Sequence, residues 1–259
     1  MRERRSLLIL LLMILSATPA YAHQKEGQRK ILVLGPSNSW GCVANCNAVQ
    51  TENGYVKQLR LLLPDDEIRV QAWFGSGAAD WNPDALPILD NALIFPIGVW
   101  EEGLGNHVNL WNLMAIPELC SWKPDYVITF FGWGDWLRTF RVPSKSVTTQ
   151  EDYKTSMEKV ARGILQAGAI PVLAVDGTGR YLTGYQASLF QICSDFRMDC
   201  GPDITVVLNG PYYGGDFFHP IALGHQRVAE AFADWFNERP SNERRKFRKL
   251  RKPRLCDDN

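Results

Sequence analysis

The 259-residue chain carries 28 Lys/Arg and 28 Asp/Glu, and 46% of its residues are apolar. A chain of that size and apolarity buries one sizeable core, which excludes a low-complexity protein, and its formal charge of zero gives no reason to expect nucleic acid as a partner. The balance hides a division: residues 239–254 carry nine Lys/Arg against one Glu, whereas residues 23–238 carry sixteen basic and twenty-four acidic side chains.

In chain order, residues 1–22 read as an export signal. Arg2, Arg4 and Arg5 form a basic head, Leu7 to Ala17 an apolar stretch, and Ala20-Tyr21-Ala22 a small-residue cleavage site. An apolar stretch of about 11 residues is short against the ~20 that span a bilayer. The expectation is an exported protein, periplasmic or secreted, whose mature chain begins near His23. Five short apolar, β-branched runs follow, at Ile31–Leu34, Ile68–Phe74, Tyr126–Phe131, Ile170–Val175 and Ile204–Leu208, and each predicts a strand. Between them Tyr55–Leu63, His107–Leu119, Glu151–Gln166 and Tyr185–Phe196 predict helices, and Ile221–Phe236 predicts an amphipathic closing helix. Strands alternating with helices imply an α/β fold with a mainly parallel sheet covered on both faces. One domain over residues 23–238 is expected. Residues 239–259 read as a basic, flexible tail, with contact to an anionic surface as the functional alternative to a merely solvated end.

Six cysteines fit an oxidising compartment. Cys193 and Cys200 flank a short polar loop and are expected to pair. Cys42 and Cys46 either pair with each other or reach Cys120, and spacing does not choose. With no C-x-x-C pair and no interleaved histidines, neither a metal nor another cofactor is expected.

Ligands of open parallel sheets bind beyond the carboxyl ends of the strands, so Gly35-Pro36-Ser37, Gly75-Ser76-Gly77 and Gly132-Trp133-Gly134-Asp135 should converge on one crevice. Asp216-Phe217-Phe218-His219-Pro220 stands before the last helix. A carboxylate three residues ahead of a histidine can hold the imidazole in one tautomer, as a nucleophile's general base requires. Read alone, Asp216 is equally a helix cap and His219 a packing residue. Ser37, likewise, is either a turn residue or a nucleophile, and Ser39 competes with it. His225, inside the final helix, reads as a packing residue, and Asp135 as a cap. Trp73, Trp81, Trp133 and Trp136 stand near the strand-end turns, where rings line a pocket or pack in the core.

Together these blocks resemble the SGNH hydrolases, also called GDSL esterases and lipases. The first block, G-D-S-N-T-x-G, is matched by Gly35-Pro36-Ser37-Asn38-Ser39-Trp40-Gly41. The G-x-S-G-like second block is matched by Phe74-Gly75-Ser76-Gly77, and the third, G-x-N-D, by Gly132-Trp133-Gly134-Asp135. The last, D-x-x-H-P, is matched by Asp216–Pro220. The resemblance implies a flavodoxin-like α/β/α sandwich with a five-stranded sheet and an esterase working through an acyl-serine. Ser37 would be the nucleophile, His219 the general base, Asp216 its orienting carboxylate, and the backbone amides of Ser37 and Gly77 the oxyanion donors. The substrate would be a small-molecule, glycan or lipid ester. Two positions depart from the pattern: the first-block aspartate is Pro36, and the third-block asparagine, a side-chain oxyanion donor, is Gly134. The Trp133 indole, the Asn38 amide and a backbone N–H near Gly134 are the candidate substitutes. The departures leave two rivals to an esterase: a binding protein on the same scaffold, and an acyltransferase.

Overall fold

The computed structural model describes residues 28–41, 54–73, 76–81, 83, 110–136, 149–177, 182–213, 219–239 and 255–256. Within them lie strands β1 (Lys30–Gly35), β2 (Glu67–Ala72), β3 (Tyr126–Gly132) and β4 (Ile170–Asp176). Helices α1 (Ser37–Trp40), α2 (Tyr55–Leu62), α3 (Gln150–Gln166), α4 (Thr183–Phe196), α5 (Ile204–Val207) and α6 (Ala222–Asn237) alternate with them. Two π-helical turns, Trp111–Ala115 and Glu118–Trp122, precede β3.

The four strands form one parallel sheet in the order β2-β1-β3-β4. Because successive strand residues point to opposite faces, β1 divides its side chains between two cores. Leu32 and Leu34 join Val127, Phe131, Leu173 and Val175 beneath α3, α4 and the π-helical turns. Ile31 and Val33 join Tyr126, Ile128, Phe130 and Val172 beneath α2, α5 and α6. Both faces of β3 and β4 are buried along their whole length, as a parallel sheet covered by two helical layers requires.

The four strands match the first four predicted runs to within two residues. The fifth does not form a strand. Ile204–Val207 is one helical turn, started by Asp203, whose side chain accepts the Thr205 N–H, and anchored by buried Ile204. A short, mostly apolar run does not by itself separate a strand from a buried helical turn, and the cap decides it. The sheet among the described residues is therefore four-stranded.

Cys193 and Cys200 are bonded to each other, as the short loop between them predicts. Cys120 is bonded to Cys256, which decides among the pairings that spacing left open: Cys120 reaches neither Cys42 nor Cys46. Leu255 packs on the core beside it and donates its N–H to the Gln166 carbonyl, so the end of the basic segment is fastened to the body. Cys42, Cys46 and residues 240–254 lie outside the described residues.

Candidate active site

The chain passes from β1 outward to β2 and then back across β1 to β3, so its winding reverses between the carboxyl ends of β1 and β3. At that reversal β1 runs out at Gly35. A Cβ there would strike the Ser39 hydroxyl, so only glycine lets the chain fold back this closely. Pro36, at φ −83°, caps α1, and Gly41 ends it in the left-handed conformation at φ 90°. Ser37 is thus the first residue of a one-turn helix, half-buried, its N–H among those that no helix satisfies internally.

Ser37 Oγ lies 2.9 Å from His219 Nε2, across 182 residues of sequence. His219 is buried and is held from the neighbouring residues: Pro220 bridges to Tyr213, and Ile221 donates its N–H to the Tyr212 carbonyl at 2.7 Å before α6 begins. With its proton on Nδ1, the ring presents Nε2 to the Ser37 hydroxyl. Asp216, expected to hold Nδ1, lies outside the described residues. Ser39 is differently placed: it is buried, with its Oγ 2.9 Å from the Tyr55 hydroxyl. Burial pushes that phenol well above the usual tyrosine range, so it stays neutral. His225 is a packing residue, fully buried, its ring stacked on Tyr55 and its Nδ1 accepting the Tyr55 N–H.

The second and third turns interlock with each other. Asp135, completely buried, accepts the Ala78 N–H on Oδ2 at 2.9 Å, so it ties one turn to the other. A Cβ on Gly134 would collide with the Ser76 carbonyl, which leaves no room for an asparagine side chain. Neither side-chain substitute opens toward the crevice. Asn38 Nδ2 donates to Asp176 Oδ1 at 2.7 Å, and the Trp133 indole nitrogen is buried close against Gly177. The Gly77 N–H donates to Asp80 at 2.8 Å within its own turn.

No protein-family model and no curated protein matches the chain by sequence. Solved structures do match by shape. LAE5, an α/β hydrolase enzyme from the metagenome of Lake Arreo, is 16% identical, with a TM-score of 0.55 over 80% of this chain and 94% of its own. Axe2, an acetylxylan esterase from Geobacillus stearothermophilus, is 16% identical, with a TM-score of 0.52 over 80% and 93%. A GDSL-like lipase candidate from Parabacteroides merdae is 16% identical, with a TM-score of 0.56 over 82% and 97%. The chain has the SGNH hydrolase fold. At these identities the likeness speaks for architecture, and the chemistry must come from the residues.

Within this SGNH fold the aromatic side chains divide. Trp81 is core, fully buried, with its indole N–H donated to Ser76 Oγ. Trp133 meets Trp136 and Tyr213 edge to face, with ring centres 5.1 Å and 6.3 Å away, and partly buried Trp73 packs on the same core. Among the described residues no group of three His, Cys, Asp or Glu is placed to hold a metal ion. Sequence reasoning passed over Asp176, the last residue of β4. It is 1% exposed, and burial pushes its carboxyl up to about 8, against the lowering effect of the Asn38 hydrogen bond and with the Asp135 charge adding to the rise. The available signal was a carboxylate ending the apolar run Ile170–Val175 at the ligand-binding edge of the sheet.

Proposed function

We propose that the protein is an exported serine esterase, with Ser37 as nucleophile, His219 as general base and then acid, and Asp216 as the carboxylate that orients His219. The observation that carries this reading is the 2.9 Å approach of Ser37 Oγ to His219 Nε2 at the carboxyl edge of the sheet. In the first half-reaction Ser37 Oγ attacks the ester carbonyl carbon while His219 Nε2 takes the hydroxyl proton. Collapse of the tetrahedral intermediate expels the alcohol, which receives that proton, and leaves the acyl group on Ser37. Water, deprotonated by the same ring, then attacks the acyl-serine and releases the acid. In this reading the Ser37 N–H, at the start of α1 where no helical carbonyl takes it, donates to the developing oxyanion. The Gly77 N–H joins it when substrate draws that donor away from Asp80. Without the side-chain donor lost at Gly134, the oxyanion has less help, a loss of order 2.7–4 kcal/mol in the transition state.

Two disulfides favour an oxidising compartment and therefore export, and no helix among the described residues is long and apolar enough to cross a membrane. The acetylated xylan named for Axe2 suggests an acylated carbohydrate, and Trp133, Trp136 and Tyr213 supply the flat rings that stack on a sugar. Hydrolysis of p-nitrophenyl acetate tests the core of the proposal. Ser37→Ala and His219→Ala should each remove the activity, and a Ser37→Ala protein as active as the parent overturns the assignment. Acetylated xylo-oligosaccharides, offered with and without a sugar acceptor, distinguish hydrolysis from acyl transfer by their products.

A further inference from the structure

The mechanism above leaves one buried carboxylate at the site without a task. Asp176 ends β4, paired with Gly132 across the β3–β4 ladder, and its Oδ1 accepts the 2.7 Å hydrogen bond from Asn38 Nδ2. Its Oδ2 has no hydrogen-bond partner among the described residues. Asn38 is the residue after Ser37, and it too is buried.

A helix of four residues has almost no persistence of its own, because nucleation costs more than one turn of hydrogen bonds returns. The cap at Pro36 adds no side-chain bond. Yet α1 must hold Ser37 Oγ on a histidine 182 residues away. Its direction therefore depends on side chains that anchor it to the rest of the fold; among the described side chains Ser39 bonds Tyr55, toward α2, and Asn38 bonds Asp176, toward β4. The second is the shorter bond and leads from the residue adjacent to the nucleophile. The chain also lacks an aspartate at position 36, and Asp176 brings a carboxyl group to the same turn from β4.

We propose that Asp176 is a positioning residue which, through Asn38, fixes the turn carrying Ser37 and keeps its hydroxyl on the His219 ring. The claim rests on Ser37 and His219 being the reacting pair. Asp176 touches neither substrate nor the reacting atoms; it acts through Asn38. Asn38 from α1 bonds it, and Asp135 from the turn after β3, Tyr55 from α2 and Tyr153 from α3 are near enough for their charges to couple with its own. In that setting burial and the Asp135 charge keep its proton on at neutral pH, so an uncharged amide at 176 reproduces its acceptor oxygen.

The test uses the full-length protein and two readouts: the rate of fluorophosphonate labelling, and the ¹⁵N signals of the His219 ring by NMR. Asp176→Ala and Asn38→Ala should each slow labelling about tenfold or more, since small misplacements of a reacting group are costly. The double variant should be no slower than either single one, because both cut the same tether. Asp176→Asn should restore labelling to within about threefold of the parent by keeping the acceptor oxygen, a rescue that general loss of structure would not give. In Asp176→Ala the His219 signals should move toward those of Ser37→Ala, where the hydroxyl is gone. Parental labelling in Asp176→Ala, or independent losses that multiply in the double variant, overturns the positioning role and leaves the esterase reading intact. A parent that never labels removes the esterase reading instead, and the His219 signals then decide positioning alone: no shift in Asp176→Ala contradicts it.

Discussion

Ser37 and Ser39 differ by two positions in one turn, and their surroundings divide them. Ser37 Oγ meets an imidazole at 2.9 Å, whereas Ser39 Oγ meets a phenol that burial keeps neutral. A neutral phenol is a poor general base at ordinary pH, so only one of the two hydroxyls has a partner able to take its proton. The sequence left that choice open, because both serines suit a turn and the partners lie 16 and 182 residues away. Gly134 shows the opposite case: the missing asparagine is legible in the sequence, but its reason, the Ser76 carbonyl against the missing Cβ, appears only in three dimensions. Gly134→Asn should therefore fail to restore a donor and should instead lower stability, by about 1–3 kcal/mol if the turn shifts as an overpacked site does. Urea denaturation beside an ester assay checks both parts. Asp176 makes a pH prediction with a definite sign. Its folded value of about 8 stands above the ordinary 3.8, so the folded state keeps a proton that the unfolded chain releases. Its contribution to stability is present at low pH and is lost as pH rises from about 4 to about 8. Urea midpoints measured across that window should fall for the parent more steeply than for Asp176→Asn, which has no proton to lose at this position.

At the scale of elements, the strands at 30–35, 67–72, 126–132 and 170–176 were legible because each is an apolar run bounded by polar or glycine-bearing turns. Ile204–Val207 misled for the same reason, since its apolar run says buried without saying which backbone. Asp203 carried the correction, as a cap immediately before the run. Helix α3 begins one residue before the expected Glu151, because Thr149 accepts the Asp152 N–H while Asp152 reaches back to the Thr149 N–H, a reciprocal cap that closes the first turn. Thr149→Ala should cost about 1 kcal/mol in unfolding free energy and leave ester turnover unchanged, because Thr149 is exposed and its cap bonds lie within the first turn of α3. Equal loss of activity and stability in that variant would put α3 nearer the chemistry than the structure does.

For the whole molecule, the parallel order of the sheet brings turns from β1 and β3 to one crevice, and the sequence indicated that convergence by placing a glycine-bearing block after each predicted strand. The long-range closure of the chain was not legible, since spacing says nothing about which distant cysteine reaches Cys120. Its partner Cys256 closes a loop of 136 residues, whereas Cys193–Cys200 spans seven. By loop-closure entropy the first is worth about 5 kcal/mol and the second about 2. Thermal unfolding of Cys120→Ala/Cys256→Ala and of Cys193→Ala/Cys200→Ala should show the larger loss in the first pair. The fold and the disulfides provide the frame; the proposed activity depends on one hydroxyl brought to one imidazole. Fluorophosphonate labelling followed by sequencing of the modified peptide measures this most directly. The account predicts a single adduct on Ser37 that is absent in His219→Ala, while an adduct on Ser39, or no adduct on the folded protein, contradicts it.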